Sequence, residues 1–155
     1  MMLTELEQQE INAELAHCAT KASASIEALN LVQRRHGWVS DEDLKDVSRI
    51  LEMTLEELDA VATFYSFIFR RPVGRHVILV CDSISCWVMG HNPLLDLLKN
   101  KLGVSFGETT EDKRFTLLPI SCLGACDRAP AMMVDDDLYG PVTAEMMEDI
   151  LQKYG

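Results

Sequence analysis

Four of the five cysteines fall into two tight pairs. Cys81-Asp-Ser-Ile-Ser-Cys86 has four residues between its thiols and Cys122-Leu-Gly-Ala-Cys126 has three, with 35 residues separating the pairs. Four converging thiols in a reducing compartment suit a soft, tetrahedral metal centre. A [2Fe–2S] cluster takes four thiolates, two per iron, with sulfides bridging the irons. Structural zinc takes four around one ion, usually from tighter turns of the C-x-x-C kind. The wider spacings favour iron–sulfur over zinc, and buried, unliganded cysteine is the plain alternative. A thioredoxin-like dithiol enzyme needs C-x-x-C at a helix N-terminus, and the sequence contains no such tetrapeptide.

The residues around the thiols favour a cluster. Gly90 and Gly124 let backbone come close enough for N–H groups to point at sulfur, and Ser83, Ser85 and Ser121 offer hydroxyl donors. Serines in such loops also serve simply to satisfy backbone. The other candidates are weaker. Cys18 stands alone and reads as a structural thiol. His17, His36, His76 and His91 show no metal spacing; His91, beside the first cysteine loop, could hydrogen-bond near the cluster, but a loop histidine without a special role is the better reading. There is no G-x-G-x-x-G, P-loop, H-E-x-x-H or G-x-S-x-G, so no nucleotide site or hydrolytic centre is expected in this chain.

The elements needed to bring the two pairs together can be read from periodicity. Residues 76–80 (HVILV) and 114–120 (RFTLLPI) read as strands, the first buried on both faces. Between them Asn92-Pro93 reads as an N-cap and first helical position, ahead of a helix carrying Leu94, Leu95, Leu97 and Leu98 and ended by Gly103. A strand–helix–strand crossover makes the two strands parallel, so both cysteine loops emerge at one sheet edge, where open sheets tend to hold ligands. Residues 131–134 predict a third strand, Asp135–Asp137 a polar turn, Leu138–Gly140 a short fourth strand, and Thr143 the cap of a last helix with Val142 stapled to Met147.

The preceding residues read as helices. Ile26, Leu29 and Val32 share one face of a helix closed by Gly37; Ser40 starts the next, with Val39 stapled to Leu44. Thr54-Leu55-Glu56-Glu57 fits a capping box, and Leu58, Val61, Ala62, Tyr65 and Phe69 predict a helix running on to Arg70 and Arg71 before Pro72 and Gly74 stop it. Phe64, Tyr65, Phe67 and Phe69 could form a partner-facing surface, but at helical spacing core packing explains most of them. Arg70, Arg71 and Arg75 form the densest positive patch, read as solvated helix-end charges. Another short helix is expected in the first twenty residues, with Ile11 and Leu15 one turn apart. The expected class is α+β: a helical bundle over 1–72, then a β-α-β-β-β-α domain over 73–155.

Composition sets outer bounds. The 155 residues are 48% hydrophobic and 25% charged, an ordinary globular balance. Asp and Glu number 25 against 14 Lys and Arg, a formal charge of -11 that repels phosphate backbones, so no nucleic-acid partner is expected. No apolar run approaches the roughly 18 residues needed to span a bilayer, and MMLTELEQQEINAEL reads as neither a signal nor a transit peptide.

Taken together, Cys81-x4-Cys86-x35-Cys122-x3-Cys126, with Val61-Ala62-Thr63-Phe64-Tyr65 upstream, resembles the thioredoxin-like [2Fe–2S] subunit of NADH:quinone oxidoreductase, the NuoE family of bacterial respiratory complex I. Pro72-Val73-Gly74-Arg75-His76-Val77, Phe115-Thr116-Leu117-Leu118-Pro119, Leu123-Gly124 and Pro130 extend the likeness, from about Ile26 to the C-terminus. Ala60 and Ala129 stand where many relatives have Gly, which predicts negative φ there. The resemblance implies a thioredoxin-like ferredoxin domain behind the helices and one [2Fe–2S] cluster held by Cys81, Cys86, Cys122 and Cys126. It also implies a place beside the flavin/NADH-binding subunit in the peripheral arm, on the cytoplasmic face of the membrane without insertion into it. FMN, NADH and quinone would then belong to partner subunits, and this chain would do nothing beyond electron transfer. Equivalent subunits of NAD-linked hydrogenases and formate dehydrogenases share the cysteine pattern, so the motif leaves that host open; a zinc-stabilised binding module is the alternative of another class.

Overall fold

The computed structural model describes residues 3–155, which divide into two compact units between Pro72 and Val73.

The first unit is helical: α1 (Glu5–Leu15), α2 (Ser25–His36), α3 (Asp41–Leu51) and α4 (Leu55–Phe64). Reciprocal capping boxes start three of them, Thr4 with Glu7, Ser40 with Asp43 and Thr54 with Glu57, satisfying N–H groups that a helix start leaves unpaired. Gly37 ends α2 at φ +82. The core gathers Ile11, Leu29, Val32, Val47, Leu51, Leu58 and Ala62. His36, at the end of α2, lies between two capping carboxylates, Nε2 3.0 Å from Glu7 and Nδ1 3.1 Å from Asp43.

The fourth helix is shorter than its periodicity predicts. The chain turns extended at Tyr65, and Phe64, Tyr65 and Phe67 are exposed rather than core. Tertiary hydrogen bonds compete with helix continuation: Gln33 bonds the Phe67 carbonyl at 2.7 Å and the Phe69 N–H at 2.6 Å, and the Val39 N–H bonds the Phe69 carbonyl at 2.8 Å. Arg70 therefore does not sit at a helix end. It pairs with Asp59 at 2.8 Å and Asp41 at 2.7 Å.

The second unit runs β1 (His76–Cys81), α5 (Ile84–Val88), α6 (His91–Leu102), β2 (Phe115–Ile120), β3 (Met132–Val134), β4 (Asp137–Tyr139) and α7 (Ala144–Lys153). The sheet order is β2-β1-β3-β4, with β1 parallel to β2 and antiparallel to β3. Pro119, which has no N–H to give, lies on the edge strand β2. One core joins Ile78 and Val80 of β1 to Leu94 and Leu98 of α6 and Met147, Ile150 and Leu151 of α7. Strand residues alternate faces, so Cys81 turns away from that core and packs with Cys86, Ala125, Ala129 and Ala131.

Three local details differ from the sequence reading. The first cysteine loop contains a one-turn helix, α5, too short for periodicity to reveal. The α6 helix starts at His91, with Gly90 at φ +115 in the cap position, so Asn92 is not the N-cap. Asp137, expected in the turn, already belongs to β4, leaving Asp135 at φ +52 to make the bend. The α7 helix starts as expected, with Thr143 capping and Val142 and Met147 both buried.

Candidate metal centre

The parallel β1–β2 pair carries both cysteine loops to one end of the sheet. Cys81 is the last residue of β1, in register with Ile120, and Cys122 follows two residues after β2 ends. The Cys81 N–H bonds the Ala131 carbonyl at 3.2 Å, and the Asp82 N–H bonds the Ile120 carbonyl at 2.8 Å. Cys86 sits on α5 and Cys126 opens a single turn of 3-10 helix over Cys126–Arg128. Gly140 backs that turn, where a Cβ would come within 2.2 Å of the Arg128 carbonyl. Ala129 leaves the loop at φ -71, the negative value expected for alanine there.

All five cysteines are free thiols. Cys81 and Cys86 are buried; Cys122 and Cys126 are exposed. Each of the four paired thiols lies near others of the set: Cys86 interacts with Cys81 and Cys126, and Cys122 with Cys126 and Cys81. Cys86 is pushed up by burial, by a hydrogen bond with the Cys81 thiol, and by the charges Cys81 and Cys126 would carry, with the Ala131 N–H opposing. Cys122 is lowered, chiefly by the Gly124 N–H, which donates to its Sγ at 3.3 Å; hydrogen bonds from Ser83, Cys126 and Cys81 add to this, and desolvation opposes it. Gly124 reaches that position at φ +72, where a side chain would be strained. Thus Gly124 and Ser83 supply the donors anticipated around sulfur, whereas Gly90 acts as a helix cap.

A soft donor set of four adjacent thiols suits thiolate-ligated iron. Among the described residues no group of three or more His, Cys, Asp or Glu is arranged to hold a metal ion as the side chains stand. A [2Fe–2S] cluster takes four thiolates, two per iron, which is the number the two cysteine loops supply. Cys18 packs at the edge of the helical core in the other unit. An open cleft of about 800 Å³ between Lys101–Val104 and Glu108–Phe115 holds none of the cysteines.

Residues 11–155 match the family model described as thioredoxin-like [2Fe–2S] ferredoxin. The chain belongs to that family. Its cofactor type is therefore a [2Fe–2S] cluster, and its α+β fold is a thioredoxin-like one behind N-terminal helices. The E subunit of NADH-quinone oxidoreductase from Pseudomonas aeruginosa is 45% identical over 153 residues, covering 99% of this chain and 92% of the relative. Its counterpart of the same name from Escherichia coli is 43% identical over 152 residues, covering 98% and 92%. Among solved structures, an NAD+-reducing [NiFe]-hydrogenase matches with TM-score 0.73 in its air-oxidised and its H2-reduced states, at 23% and 25% identity. Those alignments cover 84% and 86% of this chain but 22% of the hydrogenase chain, so the likeness there concerns the fold.

One feature near the thiols escaped sequence reasoning, and one was weighed but ranked second. The α5 face exposes Ile84, Trp87, Val88 and Met89 at 70%, 57%, 71% and 61%. Their exposure depends on the loop fold and left no periodic signal. His91, read by preference as a loop histidine without a special role, is buried with Nδ1 3.0 Å from the Cys81 carbonyl, as the second reading had it.

Proposed function

We propose that this chain is the electron-transfer subunit of an NADH:quinone oxidoreductase, holding one [2Fe–2S] cluster on Cys81, Cys86, Cys122 and Cys126. The observation that supports this reading is the arrival of both cysteine loops at one end of the parallel β1–β2 pair, in a chain of which 99% aligns with an NADH-quinone oxidoreductase subunit at 45% identity. When bound, the cluster takes up and returns one electron. The chain's own residues do the rest. The Gly124 N–H and Ser83 hydroxyl spread negative charge away from Cys122, while burial of Cys81 and Cys86 keeps water from that side. The acidic surface, at -11 formal charge, disfavours an added electron and pulls the potential down.

The helical unit up to Pro72 and the ferredoxin unit from Val73 are read as the two domains. The partner is read as the flavin/NADH-binding subunit of the peripheral arm, on the cytoplasmic face, engaged through the apolar α5 face beside Cys86. That face keeps the cluster at the interface, and FMN, NADH and quinone remain with partner subunits. No helix among the described residues is long and apolar enough to cross a membrane.

Metal analysis of anaerobically purified protein tests the cluster. Near two irons and two acid-labile sulfides per chain support it, and one zinc in a colourless protein overturns it. Cys122→Ala is expected to remove or scramble the signal, and Cys18→Ala to leave it intact; the reverse result refutes the ligand set. The likeness to a hydrogenase keeps a second host in play, the diaphorase part of an NAD-linked hydrogenase. Co-purification from the native source decides between hosts, since membrane-embedded companions accompany the respiratory enzyme.

A further inference from the structure

His91 is 4% exposed and opens α6, directly after the loop that carries Cys86. Its Nδ1 lies 3.0 Å from the carbonyl oxygen of Cys81. Carbonyl oxygen only accepts, so Nδ1 must carry the hydrogen, whichever state Nε2 is in. Nε2 faces the exposed carboxylate of Asp82 at 3.7 Å, beyond hydrogen-bond range. The backbone around Cys81 is thereby held at three consecutive groups. Its N–H goes to Ala131, its carbonyl to His91, and the following N–H to Ile120. The first two of those bonds tie Cys81 to the segment leading into β3 and to the start of α6; the third ties the chain just beyond it to β2.

The sheet ladder ends at Cys81, so its buried carbonyl needs a partner from outside the strands, and leaving it unpaired would be costly. The His91 bond also closes residues 81–91 into one loop. That loop holds the one-turn helix α5, whose few internal hydrogen bonds give it little independent stability. We propose that His91 is a positioning residue of the metal centre: by clamping the Cys81 carbonyl it fixes the distance and orientation between the thiols of the first cysteine pair. This rests on the cluster assignment above. A residue that orients a ligand without touching the metal is usually felt in affinity and spectrum more than in overall fold.

The test uses the full chain with His91→Asn, whose amide nitrogen can occupy the place of Nδ1, His91→Leu, which has no donor, and Asp82→Asn. Each is reconstituted anaerobically with ferrous iron and sulfide, reduced with dithionite, and compared by electron paramagnetic resonance and by iron release to a chelator. His91→Leu is expected to shift or split the g values and to release iron about tenfold faster. His91→Asn and Asp82→Asn are expected to keep the wild-type spectrum and rate. A wild-type spectrum and rate in His91→Leu, or equal damage in His91→Asn, overturns the proposal. So does Asp82→Asn behaving like His91→Leu, since the Nε2 side would then matter.

Should His91→Leu fail to fold, His91→Gln takes its place, because its longer amide reaches toward the Nε2 position and fills the site. Amide exchange of residues 82–90 in the metal-free chains provides an independent reading. Exchange there is expected to quicken in His91→Leu but not in His91→Asn; unchanged exchange in His91→Leu overturns the clamp. If wild type takes up no two-iron centre, the cluster assignment has failed, and this exchange comparison still decides whether His91 holds the loop.

Discussion

Burial splits the four thiols into an inner and an outer half. Cys81 and Cys86 are packed among Ala125, Ala129 and Ala131, whereas Cys122 and Cys126 face solvent. Reaction with an alkylating agent requires contact and a thiolate. In the metal-free chain, Cys122 and Cys126 are expected to be modified first, and Cys81 and Cys86 at least about tenfold more slowly. Mass-spectrometric mapping of partial alkylation reads the order directly. Early modification of Cys86 would show that the first loop is open in solution and that its packing against the alanines does not hold it. Gly124 belongs to the same scale: one residue at φ +72 aims one N–H at one sulfur.

Helix caps in the first unit make a larger device from small parts. Glu7 and Asp43 close their own capping boxes and also grip His36 from both sides. Burial alone would raise both carboxyls. It is overcome at Glu7 by hydrogen bonds from Thr4 and the charges of His36 and Arg35, and at Asp43 by hydrogen bonds from Ser40 and His36 together with the His36 charge. Both carboxyls therefore sit below their ordinary values. In the acid range the unfolded chain binds more protons at these positions than the native chain, so stability rises with pH there. That contribution is complete above the ordinary carboxylate range and fades as pH falls through the lowered native values. Urea unfolding followed by circular dichroism is expected to show this slope, and Asp43→Asn to flatten it while costing about 1–3 kcal/mol at neutral pH. Retention of the wild-type slope in Asp43→Asn would remove Asp43 from the explanation.

At the scale of the molecule, two cores do separate work. Four helices enclose one, and a mixed sheet with α6 and α7 encloses the other. Cys81 and Cys86 pack in a small cluster apart from that second core, while Cys122 and Cys126 are exposed, so the candidate site is supported by the sheet without being sealed inside it. An exposed apolar surface formed by Ile84, Trp87, Val88 and Met89 adjoins them. Contiguous apolar exposure of this kind usually marks contact with another protein. If the proposed flavin-bearing partner docks here, Trp87→Ala is expected to weaken that association by about 2 kcal/mol, as buried interface tryptophans do, with the cluster's spectrum unchanged. Equal affinity by calorimetry or pull-down titration would exclude this face as the docking surface.

Much of this was legible in the chain itself. Ser40, Thr54 and Thr143 announced helix starts because capping is local chemistry, and a β-branched run announced β1 because its residues are buried on both faces. The 35-residue gap between the cysteine pairs fitted one helix plus one strand, and such a crossover makes the two strands parallel, as they are. Tertiary structure decided what depends on partners distant in sequence. Gln33 and Val39 captured residues 67–69 and ended α4 early, exposing Phe64, Tyr65 and Phe67. Folding likewise turned His91 inward to the Cys81 carbonyl and left α5 outward. Periodicity records which face of a helix or strand is apolar; it holds no information about which remote donor reaches which carbonyl once the elements pack.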